Sequence, residues 1–249
     1  MRNVGKCRLC LTENTQLCES HFMPRSLYYS GKKKLEFANR LEIGIDPAEL
    51  KAHLLCRVCE SRFSVNGEDE VLKHVAPKLV NKRFPLSDLM RLGVARDNDP
   101  TAPRFDARDF GIDTAKFAYF ALSMVWRRTI HDWNPALPRW ELGQFAEDMR
   151  RYLVGETGFP SNMAVIVLVC SDLLSRRTWT IPTEFVEEGC LNFAFDVRGI
   201  RLRVMMGHLP IWAYAANCLS PQHPVFWGNC EKRMQQMWEN TRAFHTPMS

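Results

Sequence analysis

The stretch KCRLCLTENTQLCESHFMPRS, residues 6–26, opens with a Cys-Arg-hydrophobe-Cys turn, and LLCRVCE, residues 54–60, repeats that pattern. A two-residue gap lets both thiolates of one turn face the same ion, and two such turns complete a tetrahedral shell with Zn–S distances of about 2.3 Å. The spacing therefore predicts a structural zinc site with no open ligand position. Its four ligands would be Cys7, Cys10, Cys56 and Cys59. The alternative is four unrelated cysteines in an apolar core.

The remaining cysteines give no metal-binding pattern. The amino terminus, MRNVGKCRLC, has no apolar leader segment, so we expect a cytoplasmic protein, in which disulfides are rare. No apolar run reaches the roughly 18 residues of a membrane helix, and no membrane partner is expected. We expect the other five cysteines to be small buried residues: Cys18, Cys170, Cys190, Cys218 and Cys230.

The positive charge is concentrated in the part of the chain that carries the cysteine pairs. The net charge is +5, and residues 1–95 hold 16 Lys and Arg and 11 Asp and Glu, so the remainder is neutral. A basic, metal-stapled module beside a neutral body fits a polyanion partner such as nucleic acid. Ordinary solubility charge is the alternative explanation.

Composition shifts predict two domains. With 46% hydrophobic residues the chain can bury a large core. The polar segment ARDNDPTAPRFDARDFG contains two prolines and is the best linker candidate. We therefore predict a small zinc-stapled module over residues 1–95 and a larger body over residues 96–249.

The body is predicted to be α+β. DTAKFAYFALSMVWRRTIHDW (113–133) repeats apolar residues at helical spacing, and Asp113 or Thr114 can cap this helix. Trp126 is expected in the core, and Arg127 and Arg128 are expected on a solvated face. RWELGQFAEDMRRYLVGET (139–157) predicts a second helix that stops at Gly155.

Strand signals follow the two helices. MAVIVLVC (163–170) predicts a buried strand, and CLNFAFDVRGIRLRVMMG (190–207) predicts a hairpin that turns at Val-Arg-Gly. The tail CEKRMQQMWENTRAF (230–244) is predicted to be mostly helical. Helices leading into a small antiparallel sheet make the fold class α+β.

The segment between the cysteine pairs predicts strands and a turn. TQLCESHFMPRSLYY (15–29) has the pattern of a strand and a turn, and KLEFANRLEIG (34–44) is a candidate second strand. CESRFSVNGEDEVLKHV (59–75) is helical at its start. Strand, strand and helix between two cysteine turns is the arrangement of the ββα-metal nucleases. On Cys7-x-x-Cys10, His21 with Pro24, and LLCRVC, the chain resembles the zinc-knuckle branch of the HNH endonuclease family.

That resemblance implies roles for particular residues. His21 falls where the family keeps its general base, which takes a proton from the water that attacks a phosphodiester. The positions that usually bind a catalytic divalent cation, Mg²⁺ or Mn²⁺, are occupied here by Ser20 and Glu60, and Glu68 is a further candidate ligand. The middle Asn of the family motif would align near Lys51, with His53 and Asn39 as neighbours. Alternatively, His21 is a surface or capping histidine, and the two glutamates are solvated helix residues.

Basic residues follow the His21 turn and are candidates for contact with nucleic acid. They are Arg25, Lys32, Lys33 and Lys34. Tyr28 and Tyr29 lie between them, and basic residues interleaved with aromatics suit backbone contact and stacking. No base-reading helix is visible, so little sequence preference is expected. A soluble, charged hairpin tip is the alternative.

Two functions from different classes remain. The first is a metal-dependent nuclease, with DNA preferred over RNA as substrate, and the second is an inactive zinc module that recognises nucleic acid or protein. The segment YFALSMVWRR (119–128) resembles uncharacterised bacterial HNH-like proteins, many of which look like phage-defence products, and the body would then recognise a target or protein partner. The chain has no GxxxxGK[ST], GxGxxG or GxSxG motif, which argues against P-loop, Rossmann and hydrolase-elbow sites.

Overall fold

The computed structural model describes eleven segments of the chain. They are residues 3–30, 33–34, 36–38, 43–44, 49–75, 86, 103–133, 138–170, 176, 178–220 and 225–228. Helices and antiparallel sheets are both present, which confirms the predicted α+β class. Lys32, Asn39, Cys230 and the tail at 230–244 lie outside the described residues, so the predictions made for them stay predictions.

The described strands number fourteen. In chain order they are β1 (Val4–Gly5), β2 (Thr15–His21), β3 (Tyr29–Ser30), β4 (Lys33–Lys34), β5 (Glu36–Ala38), β6 (Ile43–Gly44), β7 (Lys51–Cys56), β8 (Arg104–Asp106), β9 (Met163–Val169), β10 (Thr178–Thr180), β11 (Thr183–Glu187), β12 (Cys190–Val197), β13 (Ile200–Met206) and β14 (Val225–Gly228).

The described segments also hold five α-helices and three shorter helical turns. The helices are α1 (Arg57–Phe63), α2 (Asp69–Val75), α3 (Thr114–Ile130), α4 (Gln144–Val154) and α5 (Ile211–Ala216). A π-helical turn, Ser64–Glu68, joins α1 to α2, and the 3₁₀ turns are Arg25–Leu27 and Ala107–Phe110.

The cysteine-bearing module is built on an antiparallel sheet in the order β1-β2-β7, followed directly by α1. The second strand of this ββα unit is β7, whereas we predicted the segment 34–44, so that prediction was wrong. Within 34–44, β5 and β6 pair with each other, and β5 runs parallel to β10 in a different sheet. β7 pairs with β2 instead, placing Cys56 opposite Leu17 and Lys51 opposite His21.

The body contains a sheet of nine described strands in the order β6-β5-β10-β12-β13-β9-β14-β8, with β11 also pairing with β12. The predicted hairpin is confirmed as β12 and β13, which pair from Leu191–Met206 to Val197–Ile200. Arg198 and Gly199 form its two-residue turn with φ values of 43° and 94°, which is the left-handed geometry that matches strand twist. The sheet is larger than that hairpin because strands distant in sequence join it.

Helix α3 fills the centre of the molecule. Asp113 accepts hydrogen bonds from the backbone N–H groups of Ala115 and Lys116, which confirms the predicted cap. Phe120 packs 6.2 Å, centroid to centroid, from Phe195 of the sheet. The prediction that Arg127 and Arg128 lie on a solvated face was wrong, since they are 2% and 5% exposed. Helix α3 has neighbours on all sides, so its charged residues are buried too.

The module and the body share one continuous core of buried side chains. The Phe63 ring of α1 lies 5.9 Å from Trp126 of α3, and the Tyr28 ring lies 4.9 Å from Trp179 of β10. Arg150 of α4 donates to the carbonyl of Leu9 over 3.0 Å. The proposed domain boundary near residue 95 lies outside the described residues and stays a prediction.

Gly67 packs directly against the backbone of α3. A Cβ at this buried position would lie 3.1 Å from the Phe120 Cα and 3.1 Å from the Tyr119 ring. We expect Gly67→Ala to lower the free energy of unfolding, because overpacking costs about 1–3 kcal/mol, more than the up to about 1 kcal/mol gained in helix propensity. Denaturant melts will measure the change. Gly158→Ala is the matched control, since a Cβ there meets nothing within 4 Å; equal stability of both variants would contradict the prediction.

Candidate functional site

Four cysteine sulfurs come together at one end of the ββα unit. The Sγ atoms of Cys7, Cys10, Cys56 and Cys59 all lie within 4.8 Å of one another. A tetrahedral zinc site with Zn–S distances of about 2.3 Å has sulfur–sulfur edges of about 3.8 Å, and the Cys10 and Cys56 sulfurs are 3.9 Å apart. The four residues that the sequence predicted as ligands can therefore hold a metal ion such as zinc.

Backbone hydrogen bonds shape both cysteine turns. The N–H of Leu11 donates to the Cys7 carbonyl over 3.0 Å, which closes the first turn. The N–H of Cys56 donates to the Cys7 sulfur over 3.3 Å, and α1 begins directly after it. These backbone hydrogen bonds orient the Cys7 sulfur toward the other three cysteines.

The crowded sulfurs perturb each other's protonation. A hydrogen bond from the Cys59 thiol lowers the pKa of Cys7 to about 4. The same contact raises the pKa of Cys59, and burial raises the pKa of Cys56. A zinc ion binds cysteines as thiolates, so metal binding at this cluster releases the protons that its thiols hold.

His21 lies at the carboxyl end of β2, half-buried, with its ring fixed by an acid. Its Nε2 is 3.1 Å from Oε2 of Glu49, and the two side chains are 21% and 20% exposed. The ring centroid of Tyr28 lies 6.4 Å away. When Nε2 carries the proton that it shares with Glu49, Nδ1 has a free lone pair. The contact with Glu49 then orients the imidazole so that Nδ1 can accept a proton.

Ser20 and Glu60, the two positions aligned with the family's metal ligands, contact each other. The Ser20 hydroxyl donates to Oε1 of Glu60, which lies in the first turn of α1. Burial raises the pKa of Glu60, while the Arg127 charge and the Ser20 hydrogen bond oppose that effect. A carboxylate is the hard-oxygen ligand that Mg²⁺ prefers, so Glu60 is the residue here that could hold such a cation.

Glu68 is held by an arginine from the body. The π-helical turn ends at Glu68, and its Oε1 accepts from Nη2 of Arg127 over 2.7 Å. Across the part of the chain that the structure describes, the four cysteines are the one group of three or more His, Cys, Asp or Glu side chains close enough to share a metal. Glu60 and Glu68 do not form a second such group with His21.

The predicted nucleic-acid residues lie around the His21 turn. The Arg25 side chain is 74% exposed, and its Nε lies 3.8 Å from Glu49, the partner of His21. Lys33 and Lys34 form β4, which pairs with β3 as a short hairpin after that turn. The expectation that Tyr28 stacks on bases was wrong, because its ring is buried against Trp179; burial raises its pKa to about 12.

Two of the residues aligned near the middle position of the family motif, Lys51 and His53, lie on β7. Lys51 pairs with Glu19 over 3.0 Å, and His53 is exposed on β7. Glu49 contacts His21 instead, and the signal that could have identified it was its place two residues before the strand that leads into the second cysteine turn. Arg127 gave no local signal, because its charge alone favoured a solvated position.

Comparison with protein-family models, with curated proteins and with solved structures finds no match to this chain. In the described residues, no helix has the length and apolarity required to cross a membrane. The resemblance to the HNH family therefore stays an expectation from the sequence motifs.

Proposed function

We propose that the chain is a metal-dependent nuclease that hydrolyses nucleic-acid phosphodiester bonds, with DNA preferred over RNA and a structural zinc ion at the four cysteines. The observation that carries the proposal is the His21–Glu49 pair at the end of β2, on the strand that also presents Ser20 to Glu60. An imidazole held by Glu49 and a half-buried carboxyl group at Glu60, both on a ββα unit with four clustered cysteines, would supply the base and the cation ligand that this hydrolysis needs.

The chemistry assigns one task to each side chain. Nδ1 of His21 takes a proton from water as its oxygen attacks phosphorus, and the bond from phosphorus to the leaving oxygen breaks. Glu49 holds the opposite ring nitrogen at 3.1 Å and stabilises the imidazolium that forms. Mg²⁺ or Mn²⁺ at Glu60 would supply positive charge to the phosphate oxygens. Solvent protonates the leaving oxygen.

Positive charge around the turn fits a polyanionic substrate. Arg25 is exposed directly beside Glu49, and the hairpin that carries Lys33 and Lys34 follows. Such residues neutralise phosphates without reading bases, so binding should weaken with salt and show little sequence preference. Target choice would then fall to the body or to a protein partner.

A second candidate is a zinc-stapled recognition module without activity. Two features favour it: Glu68 is already paired with Arg127, and Ser20 is a poor cation ligand. In that case the same surface would bind nucleic acid and leave it intact.

Plasmid nicking in Mg²⁺ or Mn²⁺ tests the proposal through Glu60→Gln. The amide keeps the Ser20 contact but removes the charge that binds the cation, so we expect nicking to fall by at least about tenfold. Glu13→Gln is the matched control, because Glu13 lies in the same module in an exposed pair with Lys6. Full activity of Glu60→Gln would remove Glu60 from the mechanism. Plasmid binding without nicking by the wild-type protein in either metal would establish the second candidate instead.

A further inference from the structure

Arg127 connects the body to the candidate site through two donors. Its Nη1 donates to the carbonyl of Phe22, the residue directly after His21, over 2.8 Å, and its Nη2 donates to Glu68 over 2.7 Å. The guanidinium lies 4.7 Å from the Phe63 ring centroid, and its side chain is 3% exposed. A planar fork held on three sides has little freedom to adopt another geometry.

The neighbouring arginine makes none of these contacts. Arg128 is also buried, but its guanidinium lies over the Trp140 ring at 4.7 Å, inside the body. Burial lowers its pKa, as expected for a cation with weak compensation. The two adjacent buried arginines on α3 therefore contact different parts of the protein. Arg127 contacts the end of the strand that carries His21, and Arg128 contacts Trp140 in the body.

We propose that Arg127 is the positioning residue of the nuclease site: it fixes the backbone after His21 and withholds Glu68 from the metal, so that a single divalent cation binds at Glu60. This inference rests on the proposed function. The body is then part of the site and does more than select a target.

This arrangement predicts opposite effects on metal binding and on cleavage. Without Arg127, Glu68 loses its cationic partner, and an additional carboxylate with no competing cation would strengthen divalent-metal binding. The strand end that carries His21 loses its anchor at the same time, and small displacements of a reacting group cost large factors in rate. If Arg127 had only a structural role, its removal would not make the protein bind the divalent metal more tightly.

The test compares Arg127→Gln with Arg128→Gln in the zinc-loaded, full-length protein. Titration calorimetry with Mn²⁺ and plasmid nicking are measured on both, after thermal melts show that each is folded. We expect Arg127→Gln to bind Mn²⁺ about tenfold more tightly and to nick at least about tenfold more slowly. Arg128→Gln should lower the melting temperature while leaving Mn²⁺ affinity and nicking within about twofold of wild type.

If Arg127→Gln does not fold, Arg127→Lys is the variant that tests the inference. Lysine keeps a cation near Glu68 but cannot donate to both Glu68 and Phe22 in the fixed geometry of arginine. Nicking should fall while Mn²⁺ affinity stays within about threefold, and wild-type nicking by this variant would overturn the inference. A wild-type protein that binds one Mn²⁺ without nicking counts against the proposed function alone. Equal Mn²⁺ affinity in wild type and Arg127→Gln counts against the inference alone.

Discussion

Cys59→Ser is expected to abolish zinc binding and to unfold the amino-terminal module. Cys59 is buried among the other three sulfurs, and serine oxygen is a poor replacement for a thiolate at a tetrahedral zinc ion. Structural zinc contributes on the order of 10 kcal/mol to small metal-stapled folds, which is comparable with the whole stability of a typical domain, about 5–15 kcal/mol. Elemental analysis should give one zinc per wild-type chain and none in the variant.

The loss should spread beyond the cysteines. Arg150 of α4 donates to the Leu9 carbonyl inside the first cysteine turn, and it also pairs with Glu147 and Glu156. Once that turn opens, a buried donor loses its acceptor, which costs about 1–3 kcal/mol in addition to the lost metal. Circular dichroism melts should therefore show a lower melting temperature for the whole protein.

Cys18→Ser is the matched control for this prediction. Cys18 lies on β2 in the same module, partly exposed and outside the sulfur cluster. It should keep its zinc and melt close to the wild-type temperature. A wild-type protein that is folded and metal-free, or a Cys59→Ser variant as stable as Cys18→Ser, would contradict a structural zinc site.

Features with a local cause could be predicted from the sequence. The Asp113 cap, the stop at Gly155 and the turn at Arg198 and Gly199 each depend on the conformational preference of one or two residues, and all three are confirmed. The cysteine turns belong to the same group, because their spacing alone places two sulfurs on one side of a turn. Buried Cys170, Cys190 and Cys218 also match expectation, whereas Cys18 is partly exposed.

Features that depend on distant partners could not be predicted. β5 has no local signal for a parallel pairing with β10, about 140 residues away, so the segment 34–44 was assigned to the wrong sheet. The burial of Arg127 is of the same kind, since its partners Phe22 and Glu68 come from another part of the chain. A charged residue is normally solvated, and only the assembled fold supplies the acceptors that allow it to be buried.

In the candidate site, too, residues with a local sequence signal could be predicted, and a residue that depends on strand pairing could not. The family-like spacing identified His21, Ser20 and Glu60, and the structure brings the last two into contact. Glu49 was missed because the contact with His21 depends on how β7 pairs with β2, and the expected partner strand was a different one. The incorrect strand pairing therefore left the contact between Glu49 and His21 out of the predicted site.

His21→Ala is expected to lower the nicking rate by about 10²–10⁴-fold, the usual contribution of a positioned general base. The ring is half-buried at the end of β2, and its removal leaves Glu49 with Arg25 as a nearby cation, so folding and zinc content should be retained. Initial rates on supercoiled plasmid at saturating Mn²⁺ measure the effect. His53→Ala, on the adjacent strand with an exposed side chain, is the matched control and should nick as wild type does.

Glu49→Gln distinguishes a base oriented by an acid from a histidine that only binds substrate. The amide keeps a hydrogen-bonding partner for Nε2 but removes the charge that stabilises the imidazolium, so we expect a loss of nicking no larger than that of His21→Ala. Because Glu49 acts through His21, adding Glu49→Gln to His21→Ala should cost nothing further. If the double variant is slower than His21→Ala, Glu49 has a separate task, such as binding the divalent cation. If His21→Ala raises only KM, the ring contributes binding to phosphate and another group must take the proton.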